Sequence, residues 1–249
     1  MTARPPIHAL WLGRVRYGEA LAMQRELAAA RGDGRLPADC LLLLEHPPVY
    51  TMGRGGSGGH VPGGPERVRS LGADYVEVDR GGSVTFHGPG QLVGYPILDL
   101  AACLPAAGAP ACGDVGAYLR ALEDALCACC AEVGVDAVRR PPFTGAWVGV
   151  EKIAAIGVKL AHGVTQHGVA LNVCVDLGWF DHVVPCGIDA ADGGVTSLER
   201  CGAQGLTPED LAPRLADLLA ARLGRTVASG DAVAGLLADV HQGTLAAPA

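Results

Sequence analysis

Aromatic side chains are scarce in this chain: phenylalanine, tryptophan and tyrosine together make up 4% of its 249 residues, whereas the hydrophobic share is 49%. We therefore expect a core of alanine, valine and leucine, at a length that suits one large domain or two small ones. Long apolar runs are also missing. The longest purely aliphatic stretch is Leu41 to Leu44, whereas a membrane-spanning helix needs about 20 apolar residues. The sequence predicts a globular protein with no membrane partner.

A regular cysteine framework is absent as well. The nine cysteines are an odd number without repeating spacing, so a disulfide scaffold is not expected in a chain of this length. Cys127, Cys129 and Cys130 fall in a helix-like stretch without a second Cys-x-x-Cys pair, which favours buried thiols over a metal site. We expect neither a metal nor another cofactor.

Excess positive charge is missing too. A formal net charge of −7 argues against nucleic acid as the main partner, because neutralising phosphates requires a basic surface. The first sixteen residues contain no long apolar block of the kind found in secretory signals, so the cytoplasm is the expected location.

Lysine is rare: seventeen of the nineteen basic residues are arginine, and only Lys152 and Lys159 are lysine. Arginine can replace lysine where only charge is needed, but it does not release its proton. A lysine retained in such a chain is a candidate for handling protons, although drift explains two lysines equally well.

Periodicity and capping patterns predict the secondary structure. Helices are expected over 18–31, 114–133, from the N-cap Thr207 to about 224, and over 232–240. Strands are expected at 40–45, 75–79 and 92–98, and in a meander over 146–175. The glycine-rich run 53–65 is expected to be a surface loop without regular structure. These elements predict an α+β fold, a single domain over 1–249 with a mainly antiparallel or mixed sheet flanked by helices.

The first segment with chemical character is 80–91, RGGSVTFHGPGQ. Its glycines allow close approach of the backbone to a ligand, and Gly88-Pro89-Gly90 predicts a tight turn beside His87. No phosphate-loop or dinucleotide pattern is completed here. The segment is interpreted as a ligand-binding loop, with a purely structural turn as the alternative.

The second segment, 149–159, places Lys152 in an apolar strand, where its charge would be desolvated unless paired. Such a lysine can act as a base or activate a neighbour. The alternative is an edge lysine that reaches water or pairs with Glu151. Lys159 lies seven residues further on, so in a continuous strand the two lysines face opposite sides and only one is expected to be catalytic.

The third segment joins 165–173 to 185–188. Cys186 lies between Pro185 and Gly187 in a predicted loop, where a thiol is accessible. Cys174 is its competitor but is assigned to a strand, and a lone loop cysteine is often inert. His167 and Asn172 are candidates for supporting roles.

Taken together, the segments resemble one family. Their order is that of the lipoyl(octanoyl) transferases, with similar stretches at 45–54, at 80–91 followed by Tyr95-Pro96, at 149–157, at 167–173 and at 185–188. The resemblance spans roughly residues 40 to 200.

The resemblance implies a fold like the catalytic domain of biotin and lipoate protein ligases, with a core over about 40–224 and a short helix and tail over 225–249. It assigns the nucleophile to Cys186 and the activating residue to Lys152. It also implies an acyl-binding pocket that comprises Arg80, Gly81, Gly82, Ser83, Val84, Thr85, Phe86, His87, Ala155, Ile156, Gly157, Gly168, Val169 and Ala170.

The implied activity is transfer of an octanoyl group in protein lipoylation. The donor is octanoyl acyl carrier protein, and the acceptors are lipoyl domains of 2-oxoacid dehydrogenase E2 subunits and glycine cleavage H protein. Two alternatives stay open: an ATP-dependent lipoate or octanoate ligase of the same fold, and a noncatalytic acyl-binding module. Both are disfavoured because the phosphate-handling loop of the first is not found and Lys152 and Cys186 are both present.

Overall fold

The computed structural model describes residues 4–104, 113–184, 193–229 and 233–235, and within them the chain alternates strands and helices. The strands are β1 (Ile7–Arg14), β2 (Cys40–Glu45), β3 (Val49–Met52), β4 (Asp74–Glu77), β5 (Val84–His87), β6 (Gln91–Ile97), β7 (Val138–Arg140), β8 (Phe143–Val148), β9 (Glu151–Ala161), β10 (Val164–Asn172) and β11 (Val227–Ser229). The helices are α1 (Tyr17–Gly32), α2 (Gly64–Ser70), α3 (Leu100–Cys103), α4 (Val115–Glu132) and α5 (Pro208–Arg222), with 3-10 turns at Gly58–His60 and Leu177–His182.

The larger sheet has eight strands in the order β11-β1-β2-β6-β10-β9-β8-β7. The pairs β11–β1 and β1–β2 are parallel and the remaining pairs are antiparallel, so the sheet is mixed. This confirms the predicted α+β class. A smaller sheet, in the order β4-β3-β5, lies in the part of the chain that carries the glycine-rich segments.

Helices cover both faces of the larger sheet, as the side chains of β2 show. Leu41 and Leu43 belong to the cluster that contains α4 and α5, whereas Leu42 and Leu44 belong to the cluster that contains α1. Because both faces of β2 are buried, neither face carries polar side chains, which explains the continuous apolar run of this strand.

Most of the sequence-based elements are confirmed. The strand over 40–45 is present, and the meander consists of three strands. The helix expected over 114–133 is α4, and α5 begins after the expected cap, Thr207. Thr207 and Asp210 form a reciprocal capping box at the start of α5. Of the helix expected over 232–240, only Val233–Gly235 lies among the described residues, and these are helical.

Two expectations for the glycine-rich region are wrong. The run 53–65 is not without regular structure, because it contains the 3-10 turn at Gly58–His60 and the start of α2. The segment 80–91 is not simply a loop, since β5 occupies its centre and pairs antiparallel with β3. Strands of four residues between glycines are too short to show a periodic pattern, and their pairing partners decide their conformation.

A buried carboxylate ties the end of α1 to the last part of the chain. Asp39 is 2% exposed and accepts hydrogen bonds from the guanidinium groups of Arg31 and Arg225 and from the backbone N–H of Asp99. Burial raises its pKa, but the hydrogen bonds and the two cations outweigh that effect and hold the pKa below its usual value.

Within the described residues, none of the helices is long and apolar enough to span a bilayer.

Replacing Asp39 with asparagine should destabilise the protein by about 3–5 kcal/mol near neutral pH, because two guanidinium groups lose their buried partner. Urea unfolding checks this. The pKa of Asp39 is lowered on folding, so its contribution is present at neutral pH and is lost as the pH falls below about 4. The gap between wild type and variant should close there. Asp33→Asn is the matched control, because Asp33 pairs with Arg35 at the surface and little change is expected. An equal loss of stability in the two variants would contradict a stabilising role for the buried contacts of Asp39 with Arg31 and Arg225.

Candidate active site

The turn before β5 is organised by a buried arginine. The Arg80 side chain, in a residue 7% exposed, donates hydrogen bonds to the carbonyl oxygens of Thr51, Gly81 and Ser83 at 2.8, 2.9 and 3.0 Å, and to Thr51 Oγ1 at 2.8 Å. Arg80 also packs closely on β9, because a Cβ at Gly157 would lie 2.9 Å from Arg80 Cδ. Glycine at position 157 therefore lets this turn and the central sheet form two walls of one cavity.

That cavity, which we call the trough, has a volume of about 40 Å³. Twelve of the residues singled out from the sequence line it, together with two tyrosines that the sequence analysis did not assign. The former are Arg80, Gly82, Ser83, Thr85, His87, Ala155, Ile156, Gly157, His167, Gly168, Val169 and Ala170, and the latter are Tyr17 and Tyr95.

The pleat of β5 divides its residues between two environments. Thr85 and His87 line the trough, whereas Val84 and Phe86 pack on the other side with Tyr50 and Phe180. Successive side chains of a strand point to opposite faces. Treating 80–87 as a loop concealed this alternation.

One end of the trough is formed by histidines and tyrosines in mutual contact. Tyr95 donates a hydrogen bond to His46 Nε2 at 2.7 Å, and His46 Nδ1 donates to the Val15 carbonyl at 2.7 Å. Tyr17 stacks on His87 with ring centroids 6.0 Å apart, and its hydroxyl lies 3.5 Å from His167 Nδ1.

Burial keeps this histidine–tyrosine end uncharged. It lowers the pKa of His46 and of His167 to about 4 and that of His87 well below its ordinary value, and it raises the pKa of Tyr17 to about 12. The imidazoles are therefore neutral at pH 7. His167 is held in place through its backbone as well, since its N–H donates to Gln24 Oε1 at 2.8 Å.

A chain of hydrogen bonds runs from this end toward Lys152. His87 Nδ1 donates to Gln91 Oε1 at 2.7 Å, Gln91 Nε2 donates to Asn172 Oδ1 at 2.9 Å, and Asn172 Nδ2 donates to the Thr196 carbonyl at 2.9 Å. The Thr196 N–H in turn donates to the Lys152 carbonyl at 3.0 Å. Asn172 thus connects β6 to the segment beside Lys152 without lining the trough itself.

Lys152 is 8% exposed and lines a second, smaller cavity of about 10 Å³. Thr85 and Ala155 line both cavities, so the small cavity of Lys152 lies directly beside the trough. The surface alternatives for Lys152 are not observed: the residue is buried, and Glu151 instead pairs with Arg200 at 3.3 Å.

The expectation that Lys152 and Lys159 face opposite sides rested on a regular strand, and β9 is irregular. Ala154 pairs with Ala146 but Lys152 pairs with Trp147, so one extra residue, Ile153, is accommodated as a bulge. The bulge reverses the alternation. Lys152 shares the small cavity with Ala155, and Lys159 pairs at 2.6 Å with Asp79, which lies 3.5 Å from His167 of the trough.

Cys186 lies outside the described residues, and so does the whole segment 185–192. The described chain resumes at Gly193, and the Gly194 carbonyl accepts a hydrogen bond from the Lys152 N–H at 2.8 Å.

The competitor Cys174 was assigned to a core strand, but it lies beyond the end of β10 and is partly exposed. Burial nevertheless raises the pKa of its thiol.

Three residues of the site were not predicted from the sequence: Tyr17, His46 and Tyr95. His46 and Tyr95 stand in the stretches that carry the family resemblance, so a signal for them existed. Tyr17 begins α1, far from the other trough residues in sequence, and nothing local to it marks a site.

Comparison with known proteins identifies the family. Residues 16–220 match the lipoyl protein ligase A/B catalytic domain. An octanoyltransferase of Rubrobacter xylanophilus is 50% identical over 76% of this chain and 80% of its own length. The mitochondrial octanoyl-[acyl-carrier-protein]:protein N-octanoyltransferase of Xenopus tropicalis is 46% identical over 85% of each chain.

A solved structure agrees at the level of the fold. A lipoate-protein ligase A bound with ATP superimposes with a TM-score of 0.67 over 94% of both chains at 15% identity, which confirms the ligase-like fold expected from the sequence. The family match and the curated relatives show more than the fold. The chain belongs to the lipoyl protein ligase A/B catalytic domain family and, within it, to the octanoyltransferases, which are transferase enzymes.

Proposed function

We propose that this protein transfers an octanoyl group from octanoyl acyl carrier protein to a lysine of lipoyl domains, in 2-oxoacid dehydrogenase E2 subunits and in glycine cleavage H protein. The observation that carries the proposal is that the trough shares two lining residues, Thr85 and Ala155, with the cavity of a buried lysine. The names of the relatives supply the acyl group and the donor: they are octanoyltransferases, one of them an octanoyl-[acyl-carrier-protein]:protein N-octanoyltransferase.

The trough suits an acyl chain because most of its walls are apolar or uncharged, and the one guanidinium among its lining residues, that of Arg80, donates hydrogen bonds to backbone oxygens and to Thr51. Ala155, Ile156, Val169 and Ala170 contribute aliphatic surface, and the histidine–tyrosine end is neutral at pH 7. A saturated chain has no polar atoms to satisfy, and its burial is favourable at about 0.8 kcal/mol for each methylene. The methyl end would lie toward Tyr17 and the carbonyl end toward Lys152.

The first half of the reaction forms an acyl-enzyme at Cys186. Its thiolate attacks the carbonyl carbon of the carrier thioester, a new carbon–sulfur bond forms, and the bond to the carrier sulfur breaks. Lys152 enters as the ammonium ion, which favours the thiolate, and gives its proton to the departing carrier sulfur. The products are the octanoyl-enzyme, the free carrier thiol and a neutral Lys152 amine.

The second half forms the amide. The amine of the acceptor lysine attacks the Cys186 thioester, the carbon–sulfur bond breaks, and Cys186 leaves as the thiolate. The proton lost by the attacking amine passes to neutral Lys152, which restores the starting pair. No nucleotide takes part in this sequence.

Incubation with octanoyl acyl carrier protein in the absence of ATP tests the proposal. Intact-mass analysis should show one octanoyl group on the enzyme, and addition of a lipoyl domain should move it to that domain. An adduct that forms only with ATP and free octanoate would indicate a ligase. Tight binding of octanoyl carrier protein without any covalent product would indicate an acyl-binding module.

Enlarging Ala155 should shorten the acyl chain that the enzyme accepts. Ala155 lines both cavities, so the two methyl groups added in Ala155→Val would project into the path of the chain. We expect transfer of an octanoyl group to fall by about tenfold more than transfer of a butyryl group, the scale of steric discrimination in an apolar pocket. Ala161→Val, at the far end of β9, is the matched control. Equal losses for both chain lengths would place the acyl group elsewhere.

A further inference from the structure

Lys152 lies against the face of a tryptophan. Trp147 of β8 is its direct partner across the β8–β9 pair, and Lys152 Nζ is 4.7 Å from the centroid of the Trp147 ring. The indole is fully buried at 0% exposure. A cation over a desolvated indole face is attracted by the ring quadrupole, and tryptophan gives the strongest such interaction.

The contact differs in kind from a salt bridge. Among the described residues the ion pairs near this site join Glu151 to Arg200 and Asp79 to Lys159, and none holds Lys152. A carboxylate would accept hydrogen bonds from the ammonium group and strongly favour its protonated form. The indole face attracts the cation without accepting a conventional hydrogen bond, so the N–H groups stay available to sulfur and to substrate.

The backbone around the pair restricts where the lysine can go. Gly145 has a φ of 127°, and a Cβ there would lie 2.5 Å from the Ala154 carbonyl oxygen and 3.6 Å from Lys152 Cε. The bulge at Ile153 sets the point at which Lys152 leaves the strand. A lysine stem has four rotatable bonds, and these contacts together with the indole select one path for it.

We propose that Trp147 is a positioning residue, which holds the Lys152 amine in the small cavity beside the trough by a cation–π contact and leaves it free to exchange protons. This inference rests on the proposed function, since it gives that reaction its geometry. The structural alternative is that Trp147 serves packing alone. Trp147 does have other packing partners: Arg140 Cζ lies 5.1 Å from the centroid of its ring, and the ring centroid of Phe143 lies 5.8 Å away.

A series of fluorinated tryptophans incorporated only at position 147 separates the two roles. Fluorine withdraws electron density from the ring and so weakens the negative electrostatic potential on its face. It changes the shape of the side chain very little. We expect kcat to fall with each added fluorine, by about tenfold across the series, with KM nearly constant. A packing role predicts no such trend. A kcat that does not depend on fluorination would overturn the proposal.

The scarcity of lysine allows a readout that does not depend on activity. With only Lys152 and Lys159 in the chain, lysine labelled with ¹³C at the ε-carbon gives two side-chain signals, which Lys159→Arg assigns. The Lys152 signal should be shifted upfield by the ring current, should move in Trp147→Leu and should be partly restored in Trp147→Phe. Trp11→Leu, which removes an indole on β1, four strands away from β9 in the sheet, should leave it in place. An unshifted Lys152 signal in the wild type would refute the contact.

The two readouts keep the failures apart. If the wild type forms no octanoyl adduct while the ring-current shift is present, the proposed function fails and the contact stands. If the wild type transfers octanoyl groups and fluorination leaves kcat unchanged, the function stands and Trp147 is a packing residue. If Trp147→Leu does not fold, the fluorinated series still decides, because it preserves the indole.

Discussion

Replacing Cys186 with alanine should abolish the octanoyl-enzyme and reduce transfer to a lipoyl domain by about a thousandfold or more, the scale seen when a covalent nucleophile is removed. The physical reason is that no thioester can form on a methyl group, so the acceptor amine must attack the carrier thioester without the intermediate. Intact-mass analysis of the enzyme with octanoyl acyl carrier protein measures the adduct, and a coupled gel assay measures transfer. We expect the melting temperature to change little.

Cys174→Ala is the matched control for this experiment. Cys174 is partly exposed and follows β10, but burial raises the pKa of its thiol, which disfavours the reactive thiolate. The variant should keep its adduct and its turnover. Loss of the adduct in Cys174→Ala, with near-normal transfer by Cys186→Ala, would move the nucleophile to position 174.

The elements that were predictable from sequence are those whose pattern is local and long. The apolar run of β2, the helical stretch of α4, the capped start of α5 and the meander of β8 to β10 each contain their own signal. The four-residue strands β3 and β5 do not, because each depends on the other for its pairing. Periodicity alone identifies the strands that form the back wall of the trough, but of the small sheet in front it identifies only β4, which corresponds to the strand expected at 75–79.

The candidate site was predictable to a similar degree. The rarity of lysine pointed to Lys152, and the structure finds this residue buried in the small cavity beside the trough. The assignment of the trough residues came from the family resemblance, because glycine pairs are common in this chain. Tyr17 could not be predicted from the sequence, since only the packing of α1 against β10 brings it close to His167.

The bulge at Ile153 shows the limit of arguments from strand alternation. An odd spacing between Lys152 and Lys159 predicts opposite faces only if every residue between them keeps the regular pleat. A single inserted residue reverses that prediction, and no glycine or proline marks the position in the sequence. Both lysines therefore lie on the trough side of the strand, and among the described residues Lys159 is held in an ion pair whereas Lys152 is not.

Lys152→Arg tests whether Lys152 moves protons or supplies only positive charge. Arginine keeps the charge and stacks on an indole, so the Trp147 contact survives, but its guanidinium does not release a proton at ordinary pH. We expect Cys186 to remain open to alkylation near neutral pH while transfer to the acceptor amine falls by about a hundredfold or more, the usual scale for a positioned acid–base group. Single-turnover assays with a preformed octanoyl-enzyme isolate the affected step.

The other lysine provides the control for that substitution. Lys159→Arg keeps a cation beside Asp79, so it should transfer octanoyl groups at close to the wild-type rate. The competing proton acceptor is His167, which is neutral at pH 7 because burial lowers its pKa to about 4. His167→Asn removes the imidazole and tolerates the positive φ of 56° at that position. Full turnover by Lys152→Arg together with an inactive His167→Asn would assign the proton to the histidine, since charge alone would then suffice at position 152.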